Sequence, residues 1–280
     1  MSKSKNQMNM IYLLRRYSHY WPLLPLLALG LWNAYGNAFM QDDAYISYNY
    51  AKWFSRGYGL VWYPNSTEFG YTSFLYTFMI GIAMLFRIPP EIASNTINVA
   101  SFIGCLILVY KIAISLPIRG RDGVGASMSG SANNAPLLTS PLRWEGLIPV
   151  LLLATHHTFT AYATGGLETM WVTLLVLAFY WRILTHDERN AEQNYLVIGT
   201  FAALALLSRL DTALLLFPGY CYLLLKGVAG MNAYYTRLAE IKSAVLIPTL
   251  STLGFLLICT IAYGYALPNT FYIKDQKSVV

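Results

Sequence analysis

Long apolar runs broken by short polar segments extend along the whole chain. The first run is Trp21 to Phe39, about the ~20 residues that a bilayer-spanning helix needs. Met1 to Tyr20 precedes it with Lys3, Lys5, Arg15 and Arg16 and no acid. The run is long for the apolar part of a signal peptide, and no A-x-A-like site precedes the next acids. The pattern therefore predicts an uncleaved first helix behind a basic cytoplasmic segment, 1–20. Asp42 and Asp43 then emerge on the outer face. Ala44 to Ser55 has Ile46, Tyr50, Trp53 and Phe54 on one helical stripe, with Asp43, Ser47 and Lys52 elsewhere. That spacing predicts an amphipathic helix lying in the headgroup plane. "RGYGL" turns the chain and "WYPNSTEFG" reads as loop. A first outer loop over 40–71 results, longer than most ordered connections, and such loops are often functional.

The pattern continues with apolar runs at Thr72–Phe86 and Ile92–Leu116. Residues 117–144 are rich in Gly, Ser and Asn and predict a flexible loop. Leu147–Tyr162 follows, broken by "ATGGLET", and then Met170–Trp181. Tyr195–Leu225 is interrupted at its centre by "SRLD". After the basic stretch Lys226–Lys242 comes Val245–Ala266, and 267–280 is a polar end. The expectation is an all-α polytopic membrane protein with about seven or eight membrane segments across 21–266. Basic loops at Arg182–Arg189 and Lys226–Lys242 predict cytoplasmic sides, which puts "ATGGLET" and "LPNT" outside with the acid pair. Thr72–Leu116 resembles two helices, yet the basic bias of the following loop asks for an odd number of crossings. One of its helices is then re-entrant, or that loop breaks the bias.

Composition sharpens this picture. The chain of 280 residues is 56% hydrophobic and 11% charged, against roughly 25% charged in soluble domains. The net charge of +6 comes from Lys and Arg placed between apolar runs, not along one stripe. That is topology, and it argues against a nucleic-acid partner. Cys105, Cys221 and Cys259 all fall in apolar segments, with no spacing for zinc or a disulfide framework.

In so apolar a chain the remaining charges carry the candidate chemistry. Asp42 and Asp43 raise each other's pKa unless a cation or donors hold them. The plain explanation is that Asp43 caps the following helix. The chemical one is that one carboxylate is a general base or metal ligand and the other its electrostatic neighbour. Glu168 sits at a helix start, where the helix dipole favours an acid. Arg209 and Asp211 interrupt an apolar run, where charges pair or line a polar cavity. Two residues apart, they cannot share a helical face, so the helix is expected to break there. Lys274 is either a solvated lysine or an anion contact. His156 and His157 end a helix near the outer face, where a structural role is the plainer reading than a metal ligand. Trp53, Trp62 and Tyr71 are plainly read as interfacial anchors.

"DDAYISYNYAKWFSRGYGLVWYP", "GYTSFLY", "GGLET", "ALALLSRLD" and "LPNTFYIK", in that order, resemble the GT-C superfamily of membrane glycosyltransferases. The resemblance is strongest to bacterial members related to terminal arabinofuranosyltransferases. It implies a GT-C-like helix bundle that takes a sugar from a polyprenyl-phosphate donor, with membrane lipid around it. The sugar would pass to a glycan or lipid acceptor of the cell envelope on the outer face of a bacterial cytoplasmic membrane. It implies Asp42 and Asp43 as the catalytic pair, and Glu168, Arg209, Asp211, Tyr71, Asn269 and Lys274 as substrate-binding positions. A divalent metal (Mg, Mn or Ca) on Asp42, Asp43 and Glu168 is a further expectation. Three departures stand out. Phe69 occupies the place of the usual acid before Gly70, with Glu68 one position earlier. Leu210 replaces the usual proline after Arg209. The chain ends soon after "LPNTFYIK", where relatives continue, so a truncated or inactive membrane component is one alternative. A secondary transporter or flippase is the other.

Overall fold

The computed structural model describes residues 21–115, 144–185, 191–225 and 242–269. The predicted basic segment 1–20, nearly all of the predicted flexible loop, the basic stretch before Lys242 and Lys274 lie outside the described residues. The rest is helical, with no strand among the described residues. The helices are α1 (Leu23–Gly36), α2 (Ala44–Ser55), α3 (Phe74–Leu85), α4 (Pro90–Ser115) and α5 (Trp144–Thr155). They continue with α6 (His157–Ala161), α7 (Thr169–Leu184), α8 (Ala191–Ser208), a 3-10 turn (Leu210–Thr212), α9 (Ala213–Leu225) and α10 (Lys242–Tyr263).

Two of these, α4 and α10, are long and apolar enough to cross a membrane, and five shorter apolar helices accompany them. At 26 residues, α4 reaches about 39 Å at 1.5 Å per residue, beyond the ~30 Å hydrocarbon thickness. The 12 residues of α3 reach only about 18 Å. The run Thr72–Leu116 thus divides into one half-length helix and one full-length helix. The turn between them carries Arg87 at φ 63°, with Pro89 and Pro90 next.

Packing follows neighbours in sequence and then closes on itself. One apolar core gathers α1, α4 and α5 around Phe102, Leu106 and Val150. A second gathers α7, α8 and α9 around Phe179, Ile198 and Leu216. α4 lies along α7, and α10 lies along α8. The last pair approaches closely because Gly199 has no side chain: a Cβ there would come within 2.7 Å of the Ser243 carbonyl. Pro248 lies inside α10 and is buried. Its ring supplies no N–H to the carbonyl four residues back. That carbonyl belongs to Ala244, and the Tyr220 hydroxyl donates to it at 2.8 Å.

Helix α2 buries part of its predicted stripe and a second stripe beside it: Tyr50 is 1% exposed and Phe54 packs on Gly81. Ala44, Ser47, Tyr48 and Ala51 are buried, whereas Ile46 is 37% exposed. The buried stripe has i, i+3, i+4, i+7 spacing and consists mainly of small residues, which lets α2 lie against α3. The Ser47 and Ser73 hydroxyls meet across it at 3.5 Å.

Candidate active site

The polar break in the apolar run 195–225 is built by leaving helix geometry. α8 ends at Ser208, and Arg209 is extended (φ −155°, ψ 123°) before the 3-10 turn. This break brings together two side chains that a continuous helix would hold apart. Arg209 Nε donates to Asp211 Oδ1 at 3.0 Å, and Nη2 donates to Oδ2 at 2.8 Å. Its Nη1 donates to Glu168 Oε1 at 2.7 Å. Glu168 sits just before α7, makes no capping bond and is only 4% exposed. Its carboxylate is therefore held by Arg209, in addition to any favour from the helix dipole. Trp171 Nε1 donates to Ser208 Oγ at 3.0 Å and braces the same junction.

The electrostatics follow from these contacts. The hydrogen bond to Asp211 raises the Arg209 pKa most, Glu168 adds to it, and burial opposes both. Arg209 in turn holds the Asp211 carboxyl below its ordinary range, against a smaller opposing effect of burial. One guanidinium faces two carboxylates, so the cluster carries a net −1 when all three are ionised. Two of the five guanidinium N–H groups remain for another partner.

The first outer loop docks directly on the second break. Gln41 N–H donates to the Gly165 carbonyl at 3.1 Å. Gly166 has φ +78°, and a Cβ there would run into Met40 and Tyr48. Glycine therefore fits this position twice over, by conformation and by space. Tyr76 Oη donates to the Gly166 carbonyl at 3.0 Å. Asn98 Nδ2 donates to Tyr76 Oη at 3.0 Å and to the Leu167 carbonyl at 2.8 Å. Asn98 is fully buried. It is a positioning residue that the sequence reading missed, because it lies in the polar first half of α4 among Ser94, Asn95, Thr96 and Ser101.

Asp42 and Asp43 lie one and two residues beyond Gln41 and are exposed. Asp43 occupies the cap position of α2, but its side chain makes no capping hydrogen bond. The plain explanation for that residue is therefore not realised. Neither carboxylate is in an ion pair among the described residues.

Other predicted positions fall elsewhere. Tyr71 is 3% exposed and packs among Tyr50, Phe69 and Tyr263. Its hydroxyl meets that of Tyr263 at 3.2 Å, and burial raises its pKa strongly. Its ring is enclosed by these neighbours. Phe69 stacks on Tyr263 with ring centroids 4.7 Å apart, so an aromatic serves there and Glu68 stays exposed. Asn269 donates its backbone N–H to the Phe69 carbonyl at 2.8 Å, tying the "LPNT" segment to the end of the outer loop. Trp53 lies beneath Lys52 and Arg56, with Arg56 5.1 Å from the ring centroid. Trp62 is 38% exposed and tilts against Tyr50. His156 caps α6 by accepting from Phe159 N–H at 3.2 Å, which is a structural role.

No group of three or more His, Cys, Asp and Glu that could hold a metal ion exists among the described residues. Of the expected set of Asp42, Asp43 and Glu168, Glu168 has its Oε1 engaged by Arg209, while the two aspartates make no ion pair among the described residues.

An apolar groove of about 520 Å³ opens next to the ion cluster between α8, α9 and α10, lined by Leu206, Leu210, Tyr220, Leu224 and Leu253. Leu210, the residue between Arg209 and Asp211, forms part of its wall.

The family model of dolichyl-phosphate-mannose-protein mannosyltransferases matches residues 138–261. That stretch covers Glu168, Arg209, Asp211 and the groove, and leaves Asp42 and Asp43 outside it. The match covers less than half of the chain and is a similarity to that family of membrane glycosyltransferases. No curated protein and no solved structure matches the chain.

Proposed function

We propose that this chain transfers a sugar from a polyprenyl-phosphate donor to a glycan or lipid of the cell envelope, on the outer face of a bacterial cytoplasmic membrane. The observation that carries the reading is the docking of the acid-bearing loop on the turn that holds Glu168, which is itself joined to Arg209. Three segments far apart in sequence, each breaking an apolar run, meet there beside an apolar groove. The arabinofuranosyltransferase-like motif order extends the proposal to a pentosyl or hexosyl donor.

The reaction needs three things. The acceptor oxygen attacks the anomeric carbon, the carbon–oxygen bond to phosphate breaks, and the electron pair leaves with the phosphate. The acceptor proton goes to a carboxylate within hydrogen-bond reach as the oxygen attacks. Asp42 or Asp43 fits that role, because both are exposed and neither is spent on capping α2. The leaving phosphate needs donors aimed at its developing charge. Arg209 offers its two remaining N–H groups, but its charge is already offset by two carboxylates. It therefore orients the phosphate more than it attracts it. Arg56 and Lys274 are the proposed sources of net positive charge. The groove along Leu206, Leu210 and Leu253 receives the first isoprene units, where apolar burial contributes about 25 cal/mol per Å².

The test is transfer from a panel of radiolabelled polyprenyl-phosphate sugars in membranes containing the full chain. The expected result is product formation from at least one donor, abolished in Asp42→Asn or Asp43→Asn. Absence of transfer from every donor, or full activity in both variants, refutes the proposal.

A further inference from the structure

A second cavity, of about 440 Å³, opens beside the acidic loop and plays no part in the contacts described so far. Its size falls within the ~300–1,000 Å³ of small-molecule sites. Asn37 and Phe39 from the end of α1 form one wall, and His157, Thr158, Ala161 and Tyr162 from α6 and its end form the other.

The chemistry of the wall is mixed in a specific way. Phe39 is 42% exposed and meets Tyr162 edge to face, with centroids 6.1 Å apart. Asn37 Nδ2 donates to Thr160 Oγ1 at 3.3 Å, which leaves its Oδ1 open. The His157 imidazole and the hydroxyls of Thr158 and Tyr162 have no hydrogen-bond partner among the described residues. Two aromatic rings thus stand among four unspent polar groups that include both donors and acceptors. No Lys, Arg, Asp or Glu lines the cavity.

These features discriminate between ligand classes. An anionic headgroup would find no counter-charge. An alkyl chain would cover the four polar groups without satisfying them, a cost of roughly 1–3 kcal/mol each in proteins. A sugar ring has apolar C–H faces that lie on aromatic rings, and a rim of hydroxyls that both donate and accept. The cavity also stands where an acceptor is needed. Phe39 packs on Gly165, Gln41 bonds the Gly165 carbonyl at 3.1 Å, and Asp42 is the next residue.

We infer that this cavity binds a sugar ring and is the acceptor subsite, so that the acceptor is a glycan and not a simple lipid alcohol. The word acceptor rests on the transfer reaction proposed above; sugar binding does not.

The full chain in lipid nanodiscs is titrated with methyl glycosides of mannose, glucose, galactose and arabinose and with their disaccharides. Binding is read by saturation-transfer NMR, with 1-hexanol as the alkyl competitor. The expected result is saturation of ring protons in at least one glycoside, insensitive to hexanol. Affinity should fall about tenfold in His157→Ala, the loss of one good hydrogen bond, and further in Tyr162→Ala. His157 is exposed, so its variant remains informative even where Tyr162→Ala fails to fold. In the transfer assay His157→Ala should raise the acceptor KM about tenfold, with the donor KM unchanged. No saturation from any glycoside, unchanged affinity in His157→Ala, or displacement by hexanol overturns the inference. If glycoside binding fails while transfer persists, only the subsite is wrong. If binding holds while no donor supports transfer, only the proposed reaction is wrong.

Discussion

Replacing Arg209 by methionine keeps length and removes the charge. The consequence divides unequally between its two acids. Glu168 is 5% exposed at its side chain and would be left as an uncompensated buried carboxylate, whereas Asp211, at 57%, is well served by water. Breaking a buried ion pair from one side costs ~3–5 kcal/mol. The Arg209 side chain is itself 40% exposed, so the expected loss is lower, about 2 kcal/mol, almost all of it from Glu168. At roughly 2–4 °C per kcal/mol for chains of this size, the melting temperature should fall by about 4–8 °C. Adding Glu168→Gln removes the stranded charge, so the double variant should recover most of that loss. Asp211→Asn alone should cost under about 1 kcal/mol, as exposed pairs do. Thermal unfolding of the four proteins in one detergent measures all of this. If the double variant melts no higher than Arg209→Met, or Asp211→Asn is as damaging as Arg209→Met, the buried Glu168–Arg209 pair does not hold the junction.

Asp42→Asn and Asp43→Asn should leave the melting temperature within about 1 °C, because neither side chain caps α2. Transfer should fall by about 10²–10⁴ in whichever variant loses the base, measured as initial rate. Gly166→Ala should detach the outer loop, since its Cβ would meet Met40 and Tyr48 at positive φ. Faster proteolysis of 40–71 together with lost transfer would record that. Tyr71→Phe forfeits only the contact with the Tyr263 hydroxyl, so a loss of about 0.5–1.5 kcal/mol in stability with unchanged donor KM is expected. Asp211 has a lowered pKa, so its pairing contribution is complete above the unfolded value near ~3.9 and is lost as pH falls through the folded value. Stability curves of the unmodified chain and Asp211→Asn should therefore run parallel from pH 8 to 5 and converge only below about pH 4.

The sequence by itself determined the all-helical class, because apolar runs of helical length leave few alternatives for the backbone. It also marked where chemistry could lie. Charge is so scarce in this chain that Asp42, Asp43, Glu168, Arg209 and Asp211 stand out against their neighbours. Even the break at Arg209 was legible, since residues two apart cannot share a helical face. Partnerships were not legible. Nothing local says that Arg209 also serves Glu168, or that the first outer loop hangs on the Gly165 carbonyl, because those contacts join residues 41 and 124 positions apart. Nor could local pattern say that Tyr71 is enclosed by Tyr50, Phe69 and Tyr263, or that Ser47 joins the buried side of α2. An aromatic suits a ligand surface and a core equally well by composition, and Ser47 reads as polar until a second serine and a close helix cover it. The cavity beside the acidic loop was invisible for that reason too. Its walls come from the ends of two helices that meet only once α1 packs against α6. Local pattern fixes which segments bury and which break, but burial has no address until the helices choose their neighbours.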